Sequence, residues 1–567
     1  MTAAMEATIT TAAAYGLGAL GVASAAVGLK VRLELSRAKH RSLSGHPRIA
    51  QVMASWVPVY EHGEARIFKV DGAPDDVVAQ RRADFARLSD LYRRRYPETM
   101  RLTAEATGLI SDLQFTEAYR IPFQFSSYVR RHLPVGAFLQ SSSGVTTTDL
   151  DGNSFFDLTG SYGVNLFGYD FYKECIDRAI ERVRALGPVL GSYHPLVADN
   201  AARLVRLSGM DELSFHMSGT EAVMQAVRLA RYHTRRSHLV RFSGAYHGWW
   251  GDVQPGIGNP VPTHETYTLK DLSEASLRVL RSRRDIACVL VNPVQIMHPN
   301  SAAPTDSTLF GSNTTAMRPD RAAYADWLKQ LRAVCTERDI VLIFDEVFVG
   351  FRLALGGAQE YFTVRADLVT YGKTLGGGLP IGAVCGRKHL MKRFREDRPA
   401  DICFARGTFN SHPYVMAAMN EFLRRLEDPA IDALYRDLDE IWDHRAAVLN
   451  KRLRDAELPV QVANLSSIWT ICHTRPSAYN WMFQYYLRAE GVALSWVGTG
   501  RLIFSLNYTE ADFAAVADRF VAAAEAMRRG GWWWEDPLAS NRKIKRRMLR
   551  EMVAHRLSLH WARRAPG

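Results

Sequence analysis

The stretch "LVTYGKTLGGGLPIGAVCGR", residues 368–387, places a single lysine, Lys373, between a short apolar strand and a run of three glycines. Burying an ammonium group costs free energy unless the group is paired or gives up its proton. A buried lysine has a lowered pKa, and its free amine can then form a Schiff base with a carbonyl compound. Taken alone, the segment fits an ordinary loop lysine after an edge strand equally well, so the surrounding sequence has to decide.

Continuous apolar runs recur between helical stretches on both sides of this segment. They are "LVRF" (239–242), "ACVLV" (287–291), "IVLIF" (340–344) and "LVTY" (368–371). Strands that are buried on both faces have this composition. Their alternation with helices predicts an α/β fold with a mostly parallel sheet covered by helices. Upstream, the Asp-Gly-Asn turn in "TTTDLDGNSFFDLTG" (146–160) predicts a hairpin.

Changes in composition divide the chain into five parts. We expect an apolar N-terminal segment, a helical extension, a large domain that begins with part of the small domain, a smaller α+β C-terminal domain and a basic amphipathic tail. The predicted bounds are 1–41, 42–132, 133–400, 401–530 and 531–567.

The apolar N-terminal segment carries an uncharged run, residues 8–29, that is long enough for one membrane span. Basic residues follow it at 30–41, which predicts a cytoplasmic catalytic domain anchored by an N-terminal helix. The alternative is a surface or buried helix rich in alanine and glycine. In the tail, "WWW" (532–534) could be an interfacial anchor or core, and the helix after it could lie on a membrane surface or pack on the domain.

The net charge of +12 is concentrated near the two ends of the chain. Nucleic-acid binding would rest on that charge alone, so we expect none. The six cysteines form no CxxC pair and do not cluster with histidine. This spacing argues against a zinc site and a disulfide framework, and it fits a reducing compartment. No metal site is predicted.

Polar residues follow the ends of the predicted strands, where ligands of an open parallel sheet bind. "SGTEA" (218–222) begins a helix whose free amides suit a phosphate, and Tyr246 in "GAYHG" could offer a flat face to a ring. Asp345 ends a buried strand, where a carboxylate is costly unless it meets a cation such as a pyridinium nitrogen. With Lys373 as the Schiff-base lysine, these parts describe a pyridoxal phosphate site.

Five segments in sequence order give the chain its resemblance to the class III pyridoxal-phosphate aminotransferases of fold type I. Within that family it resembles the glutamate-1-semialdehyde aminomutases and the aminotransferase domains of polyketide and peptide assembly lines. The resemblance covers residues 133 to 528. Its segments are "DLDGNSFFDLTGSYGVNLFGY" (149–169), "FHMSGTEAVMQAVRLARYHTRRSHLVRFSGAYHGWWGD" (215–252), "IFDEVFVGFR" (343–352), "YGKTLGGGLPIGAVCG" (371–386) and "RGTFNSHPYVMAAMNEFL" (406–423).

The resemblance implies roles for the residues around the cofactor ring. Lys373 matches the lysine that holds the cofactor covalently and moves the substrate proton. Asp345 matches the carboxylate that keeps the pyridine nitrogen protonated. Val347 matches the residue packed under the ring, and Tyr246 the aromatic residue stacked above it.

The resemblance also implies a phosphate-binding loop and a homodimer. Ser218, Gly219 and Thr220 match the phosphate loop, and Thr408 matches the threonine that reaches the phosphate from the other subunit. Tyr162 falls where the aminomutases keep a substrate-facing tryptophan.

The departures from the family concern the substrate. In "LPVGAF" (133–138), Gly136 stands where the aminomutases have an arginine that grips the substrate carboxylate. Arg406 could substitute for it, or it could be structural. Two further departures are Asn292 in place of a glutamate and Met217 in place of an asparagine.

The sequence predicts an aminotransferase that moves an amino group from a small-molecule donor to a carbonyl acceptor. The missing arginine and the apolar segment favour an acyl-chain or carrier-bound acceptor. An intramolecular aminomutase is the first alternative, and a catalytically inactive, membrane-tethered scaffold is the second.

Overall fold

The computed structural model of the protein describes residues 25–40, 43–254, 256–293, 320–493, 500–535 and 540–562. Most of the apolar run predicted as a membrane anchor, residues 8–24, lies outside these ranges. Residues 25–38 are helical. Within the described ranges, no helix combines the length and the apolar character that a membrane crossing requires.

A seven-stranded sheet forms the centre of the large domain, in the order β4-β10-β9-β8-β7-β5-β6. All neighbours pair in parallel except β10, which is antiparallel to both β4 and β9. The four apolar runs of the sequence form β5, β7, β8 and β9, so the prediction of a mostly parallel sheet is confirmed. The bounds are β4 Glu212–His216, β5 His238–Phe242, β6 Thr266–Leu269, β7 Ile286–Val291, β8 Val341–Asp345, β9 Leu368–Gly372 and β10 Gly382–Gly386.

Alternate side chains of these strands enter two different hydrophobic cores. Along β8, Val341 and Ile343 join the core that contains one face of the helix Gly219–Thr234. Leu342 and Phe344 join the larger core on the opposite side, with the helix Arg321–Glu337. Successive strand side chains point to opposite faces, so a continuous apolar run is required wherever helices cover both faces.

Two smaller sheets complete the catalytic region. The predicted hairpin forms from β2 and β3, which are antiparallel, and β15 joins β3 in parallel from the C-terminal part of the chain. The division of the chain at residues 133, 401 and 531 stays a prediction. The bounds are β1 Leu139–Ser143, β2 Thr146–Asp149, β3 Ser154–Asp157 and β15 Val492–Ala493 in one sheet, β13 Val460–Leu465, β14 Ile468–His473 and β16 Arg501–Ile503 in the other, and β11 Phe394–Arg395 and β12 Arg398–Ile402 in a short ribbon.

Helices lie on both sides of these sheets and make up the N-terminal extension. The described α-helices with defined ends are Pro47–Trp56, Glu64–Ile67, Asp75–Arg95, Pro97–Thr107, Ser111–Tyr119, Phe123–His132, Tyr169–Val183, Leu196–Ser208, Gly219–Thr234, Glu274–Ser282, Arg321–Glu337, Gly357–Tyr361, Lys388–Met391, Pro413–Arg425, Pro429–Ala433, Leu438–Asp455, Phe483–Ala489, Glu510–Arg529 and Asn541–Ala562.

The N-terminal extension packs on the C-terminal part of the chain. In the helix Asp75–Arg95, Tyr92 donates a hydrogen bond to the backbone oxygen of Tyr485 at 2.9 Å. Arg81 is fully buried and pairs with Asp71 at 2.6 Å, and its Nε donates to the backbone oxygen of Gly531 at 2.8 Å. A buried cation with a carboxylate and carbonyl acceptors fixes the orientation of the extension.

The C-terminal helix Asn541–Ala562 lies against the extension. Arg556 donates to the backbone oxygen of Trp56 at 3.1 Å, and Glu551 pairs with Arg66. Of the three tryptophans before it, Trp532 and Trp533 are buried, and Trp532 donates its ring N–H to a buried aspartate, Asp84, at 2.9 Å. These two tryptophans are core residues, so of the two interpretations of "WWW" the interfacial anchor is wrong for them.

Candidate active site

Three parallel strands end beside one another and position the predicted catalytic residues. Asp345 is the last residue of β8, and it lies opposite Thr370 of β9 in the register of the two strands. Lys373 directly follows β9, and the segment 217–220 directly follows β4. Because these strands run in the same direction, the residues meet at one edge of the sheet, as the sequence predicted.

Asp345 is buried and has three hydrogen-bond donors around its carboxylate. His247 donates from Nδ1 to Oδ2 at 2.7 Å, and the backbone N–H of Val347 donates to Oδ1 at 3.1 Å. The hydroxyl of Thr370 lies 3.3 Å from Oδ1. Burial lowers the pKa of His247, so the ring is neutral near pH 7, with its proton on Nδ1. Its Nε2 is buried and has no hydrogen-bond partner among the described residues.

Lys373 combines a strained backbone with a perturbed side chain. Its φ is +45°, in the left-handed region that a residue with a side chain seldom adopts. Burial lowers its pKa to about 8, although the charge of Asp345 acts in the opposite direction. Nζ lies 4.7 Å from the centroid of the Phe348 ring. Near neutral pH the side chain is thus a substantial source of free amine, which an ordinary exposed lysine is not.

The predicted phosphate loop lies beside these residues at the start of the helix Gly219–Thr234. Ser218 caps that helix and accepts a hydrogen bond from the Glu221 N–H. The first internal bond of the helix runs from the Ala222 N–H to the Ser218 oxygen, at 3.1 Å, so the Gly219 and Thr220 N–H groups precede it. Free first-turn amides and the helix dipole favour an anion at this position.

Two close approaches join this loop to its neighbours. A methyl group added at Gly219 would lie 2.5 Å from Cγ1 of Val347, so the glycine lets Val347 pack on the loop backbone. A methyl group added at Gly248, which has φ of +93°, would lie 2.5 Å from Oγ1 of Thr220. The "GAYHG" turn thus packs against the loop and brings His247 to Asp345.

The two predicted aromatic residues border the site. Tyr246 is 64% exposed, and Asn292 donates to its backbone oxygen at 3.4 Å. Burial and the charge of Asp345 raise the pKa of Tyr246. Tyr162 is 51% exposed and has φ of +57°. The next residue, Gly163, lies against Phe348 and Lys373, so the backbone beside Tyr162 approaches the lysine.

Thr408 and Arg406 are both exposed within one chain. Phe404, two residues before Arg406, accepts a hydrogen bond from Arg228 at 2.6 Å through its backbone oxygen. Arg228 is nine positions beyond Gly219 in its helix, or about 14 Å along the axis. This contact joins the start of the segment to the middle of that helix.

Three residues of the site were missed by the sequence reasoning. His247, the neighbour of Tyr246 in the chain, is a hydrogen-bond donor to Asp345. The Phe348 ring contacts both Lys373 and Arg501. The guanidinium carbon of Arg501 lies 5.9 Å from the Phe348 ring centroid. Burial lowers the pKa of Arg501 to about 10. Two sequence features could have indicated His247 and Arg501. They are the histidine in "GAYHG" and the lone arginine that begins the strand "RLIFSL".

The departure at Gly136 has a steric cause. A methyl group at this position would lie 2.1 Å from Cγ2 of Thr99, which belongs to the helix Pro97–Thr107 of the extension. The extension therefore occupies the space that a side chain at residue 136 would need.

The donor set fits pyridoxal phosphate. First-turn amides suit its phosphate, a buried carboxylate suits its pyridinium nitrogen, and a lysine with a lowered pKa suits its aldehyde. Within the described residues, no group of three or more His, Cys, Asp or Glu side chains could hold a metal ion. The fold and the site define a pyridoxal-phosphate enzyme of fold type I.

Comparison with known proteins gives the family. The model of "Aminotransferase class-III" matches residues 127–252 and 320–524. A glutamate-1-semialdehyde 2,1-aminomutase from Geotalea daltonii is 31% identical over 438 residues, which cover 71% of this chain and 95% of that protein. The chain belongs to the class-III aminotransferase family and is a pyridoxal-phosphate-dependent enzyme.

Other relatives include both reaction types of the family. A glutamate-1-semialdehyde 2,1-aminomutase from Methanothermobacter thermautotrophicus is 35% identical over 378 residues, covering 64% of this chain and 83% of that protein. The crystal structure of an omega-transaminase from Sphaerobacter thermophilus matches with a TM-score of 0.57 and 25% identity, covering 70% of this chain and 92% of that one.

Proposed function

We propose that the protein is a transaminase that moves an amino group from an amino acid to a separate carbonyl acceptor. The observation that carries this proposal is the juxtaposition of Lys373, with its pKa lowered to about 8, and the buried, hydrogen-bonded Asp345 at one edge of the sheet. A structural lysine–aspartate pair would need neither a strained lysine backbone nor a neutral histidine behind the aspartate.

Each residue around the cofactor has a separate task in this proposal. Ser218, Gly219 and Thr220 bind the phosphate through the helix N-terminus, and Val347 and Tyr246 hold the two faces of the ring. Asp345, oriented by His247, binds the protonated pyridine nitrogen. The bound cofactor supplies the electron sink of the reaction. The Nζ of Lys373 holds the cofactor and carries the proton between the substrate carbon and the cofactor.

The donor in this proposal carries a carboxylate that Arg501 binds. Arg501 is the cation beyond Phe348, and a buried guanidinium matches a carboxylate in charge and in geometry. The acceptor remains the acyl-chain or carrier-bound carbonyl expected from the sequence. Arg406 is the weaker candidate for the carboxylate because it is exposed within one chain, whereas burial lowers the pKa of Arg501.

The test is a spectroscopic titration of the purified holoenzyme with a panel of amino acids and amines. We expect the cofactor absorbance to shift with at least one amino acid and to return when a carbonyl acceptor is added. The second candidate is an aminomutase, which the names of the 31–35% identical relatives favour. A reaction that converts one substrate without any second amino compound would favour the aminomutase and contradict the transaminase.

We also propose a homodimer in which Thr408 reaches the phosphate of the partner subunit. Its supporting feature is the exposed aromatic surface around it, since Phe404 is 66% exposed and Phe409 51% exposed in one chain. Aromatic side chains of this kind are typical of interfaces. We expect sedimentation to give a dimer, and Phe409→Glu to give a monomer with weaker cofactor binding. A wild-type monomer with full cofactor content would contradict this.

Finally, we propose that residues 1–41 anchor the enzyme to a membrane. The uncharged run 8–29 and the basic residues after it support this proposal. Deleting residues 1–41 should release the protein from the membrane fraction while the cofactor stays bound. Full-length protein that is entirely in the supernatant after gentle lysis, with an intact N-terminus, would contradict the anchor.

A further inference from the structure

One aromatic ring, that of Phe348, meets three cationic side chains beside the active site. Nζ of Lys373 lies 4.7 Å from the ring centroid, and the guanidinium carbons of Arg352 and Arg501 lie 5.7 Å and 5.9 Å from it. The face of an aromatic ring carries partial negative charge and attracts a cation that lies within about 6 Å of the centroid. Phe348 therefore offers a stabilising contact at a point where three like charges repel one another.

The turn at residues 160–163, which follows β3, holds the Phe348 ring in place. Phe348 is 8% exposed and belongs to the larger hydrophobic core. A methyl group added at Gly163, which has φ of +97°, would lie 2.4 Å from Cδ2 and 2.5 Å from Cε2 of the ring. Only a residue without a side chain lets the turn backbone pack this closely on the ring. The same methyl group would lie 3.4 Å from Cδ of Lys373, so the turn borders both the ring and the lysine.

The other charged groups around Lys373 act on its amine without contacting it. The charge of Asp345 favours the lysine cation, whereas burial, Arg501 and Arg352 disfavour it. Asp345 is hydrogen-bonded to His247, and among the described residues no ion pair joins Asp345 to Lys373. Because Nζ has no hydrogen bond in this part of the chain either, its contact with the aromatic ring is the direct one.

We propose that Phe348 is a positioning residue that holds the amine of Lys373 against its ring face through a cation–π contact and stabilises the cationic form of that amine. The contact acts when the lysine is not joined to the cofactor, which is the state in which Nζ can carry a proton. The inference deepens the proposed function and rests on it, because it takes Lys373 as the catalytic amine. Since the ring favours the cation, a ring with weaker attraction should lower the pKa of Lys373.

The experiment weakens the attraction of the ring for a cation while it keeps the shape of the side chain. Phenylalanine with one, two or three ring fluorines is incorporated at position 348 of the full-length protein, because each fluorine withdraws electron density from the ring face. The cofactor is removed, and the lysines are trace-labelled with acetic anhydride at a series of pH values. Mass spectrometry of the peptide that contains Lys373 then gives the apparent pKa of its amine.

The matched control places the same fluorinated residues at Phe362. This phenylalanine is buried in the same hydrophobic core, and among the described residues no cation lies over its ring. Absorbance after the cofactor is added back verifies that each protein is folded. The protein with a single fluorine differs least in size from the wild type, and it tests the trend by itself if a larger substitution prevents folding.

We expect the apparent pKa of Lys373 to fall with each fluorine at position 348, by about 0.5 to 1.5 units over the series, which is the value of one cation–π contact. Fluorine at position 362 should leave the pKa unchanged. A ring that only fills space would give the same pKa throughout the series, since the shape of the side chain is kept. A constant pKa, or one that rises with the number of fluorines, would overturn the inference.

The labelling needs no turnover, so its result separates this inference from the proposed function. If no amino compound transfers its amino group to the wild type, the proposed function fails, and the trend with fluorine still decides whether Phe348 holds the Lys373 amine. If the transfer occurs and the trend is absent, the inference alone fails.

Discussion

The hydrogen bond between His247 and Asp345 allows a quantitative prediction about catalysis. His247 donates from Nδ1 to the Asp345 carboxylate at 2.7 Å, and both residues are buried. A hydrogen bond to a charged group is worth about 1.5–3 kcal/mol. If the cofactor nitrogen loses that amount of stabilisation in the transition state, His247→Ala should lower kcat by about 10- to 100-fold, because 1.36 kcal/mol corresponds to tenfold.

Two further variants test whether the lost hydrogen bond is the cause. His247→Asn keeps a side-chain N–H and should restore part of kcat, and His389→Ala removes an exposed histidine as a control. The assay is the single-turnover half-reaction, with cofactor content measured in parallel. A wild-type kcat in His247→Ala would refute the reasoning.

Three further predictions concern Lys373, the packing of the extension and Arg501, the proposed ligand of the donor carboxylate. With a pKa of about 8, Lys373 of the apo-protein should capture pyridoxal phosphate faster as the pH rises through 8. The reason is that at pH 7 it offers about 300-fold more free amine than a lysine of pKa 10.5. Stopped-flow absorbance would measure the capture rate, and a rate that rises only near pH 10 would contradict this. Gly136→Ala should lower the free energy of unfolding by about 1–3 kcal/mol through overpacking against Thr99. The control Gly108→Ala should not lower it, because the nearest atom to the added methyl group is 3.7 Å away. Denaturant titration measures both values. Arg501→Gln should raise KM about tenfold or more for amino acid donors and leave alkyl amines unchanged, and equal effects on both would rule out a carboxylate ligand.

The central sheet and the positions of Asp345 and Lys373 could be predicted from the sequence because their signals are local. A strand covered on both faces must be apolar throughout, so β5, β7, β8 and β9 were visible as continuous runs. Asp345 ends one of these strands and Lys373 directly follows another, and parallel strands bring their ends together.

The substrate side of the site could not be predicted because it depends on contacts between distant segments. Arg501 reaches Phe348 only because β16 packs beside the turn 158–163, where the Ile503 N–H donates to the Leu158 oxygen at 2.9 Å. The contact between Thr99 and Gly136 joins a helix of the extension to a loop, and it has no pattern in the sequence.

The predictions of a membrane anchor and of a dimer interface concern contacts with a membrane and with a second subunit, which a single chain does not contain. Thr408 and the aromatic residues around it are exposed in one subunit, and the role predicted for them involves a second copy. The tail helix has an apolar side, but its described contacts with Trp56 and Arg66 attach it to the extension. A basic amphipathic pattern therefore does not distinguish a membrane surface from a packed helix.

The most direct test of the central claim is to identify the lysine that holds the cofactor. The holoenzyme is reduced with borohydride, digested, and mapped by mass spectrometry. We predict a pyridoxyl adduct on Lys373 in the peptide that contains "YGKTLGGG" (371–378), and no reducible adduct in Lys373→Ala. An adduct on another lysine of the wild type, or one that persists in Lys373→Ala, would contradict the account.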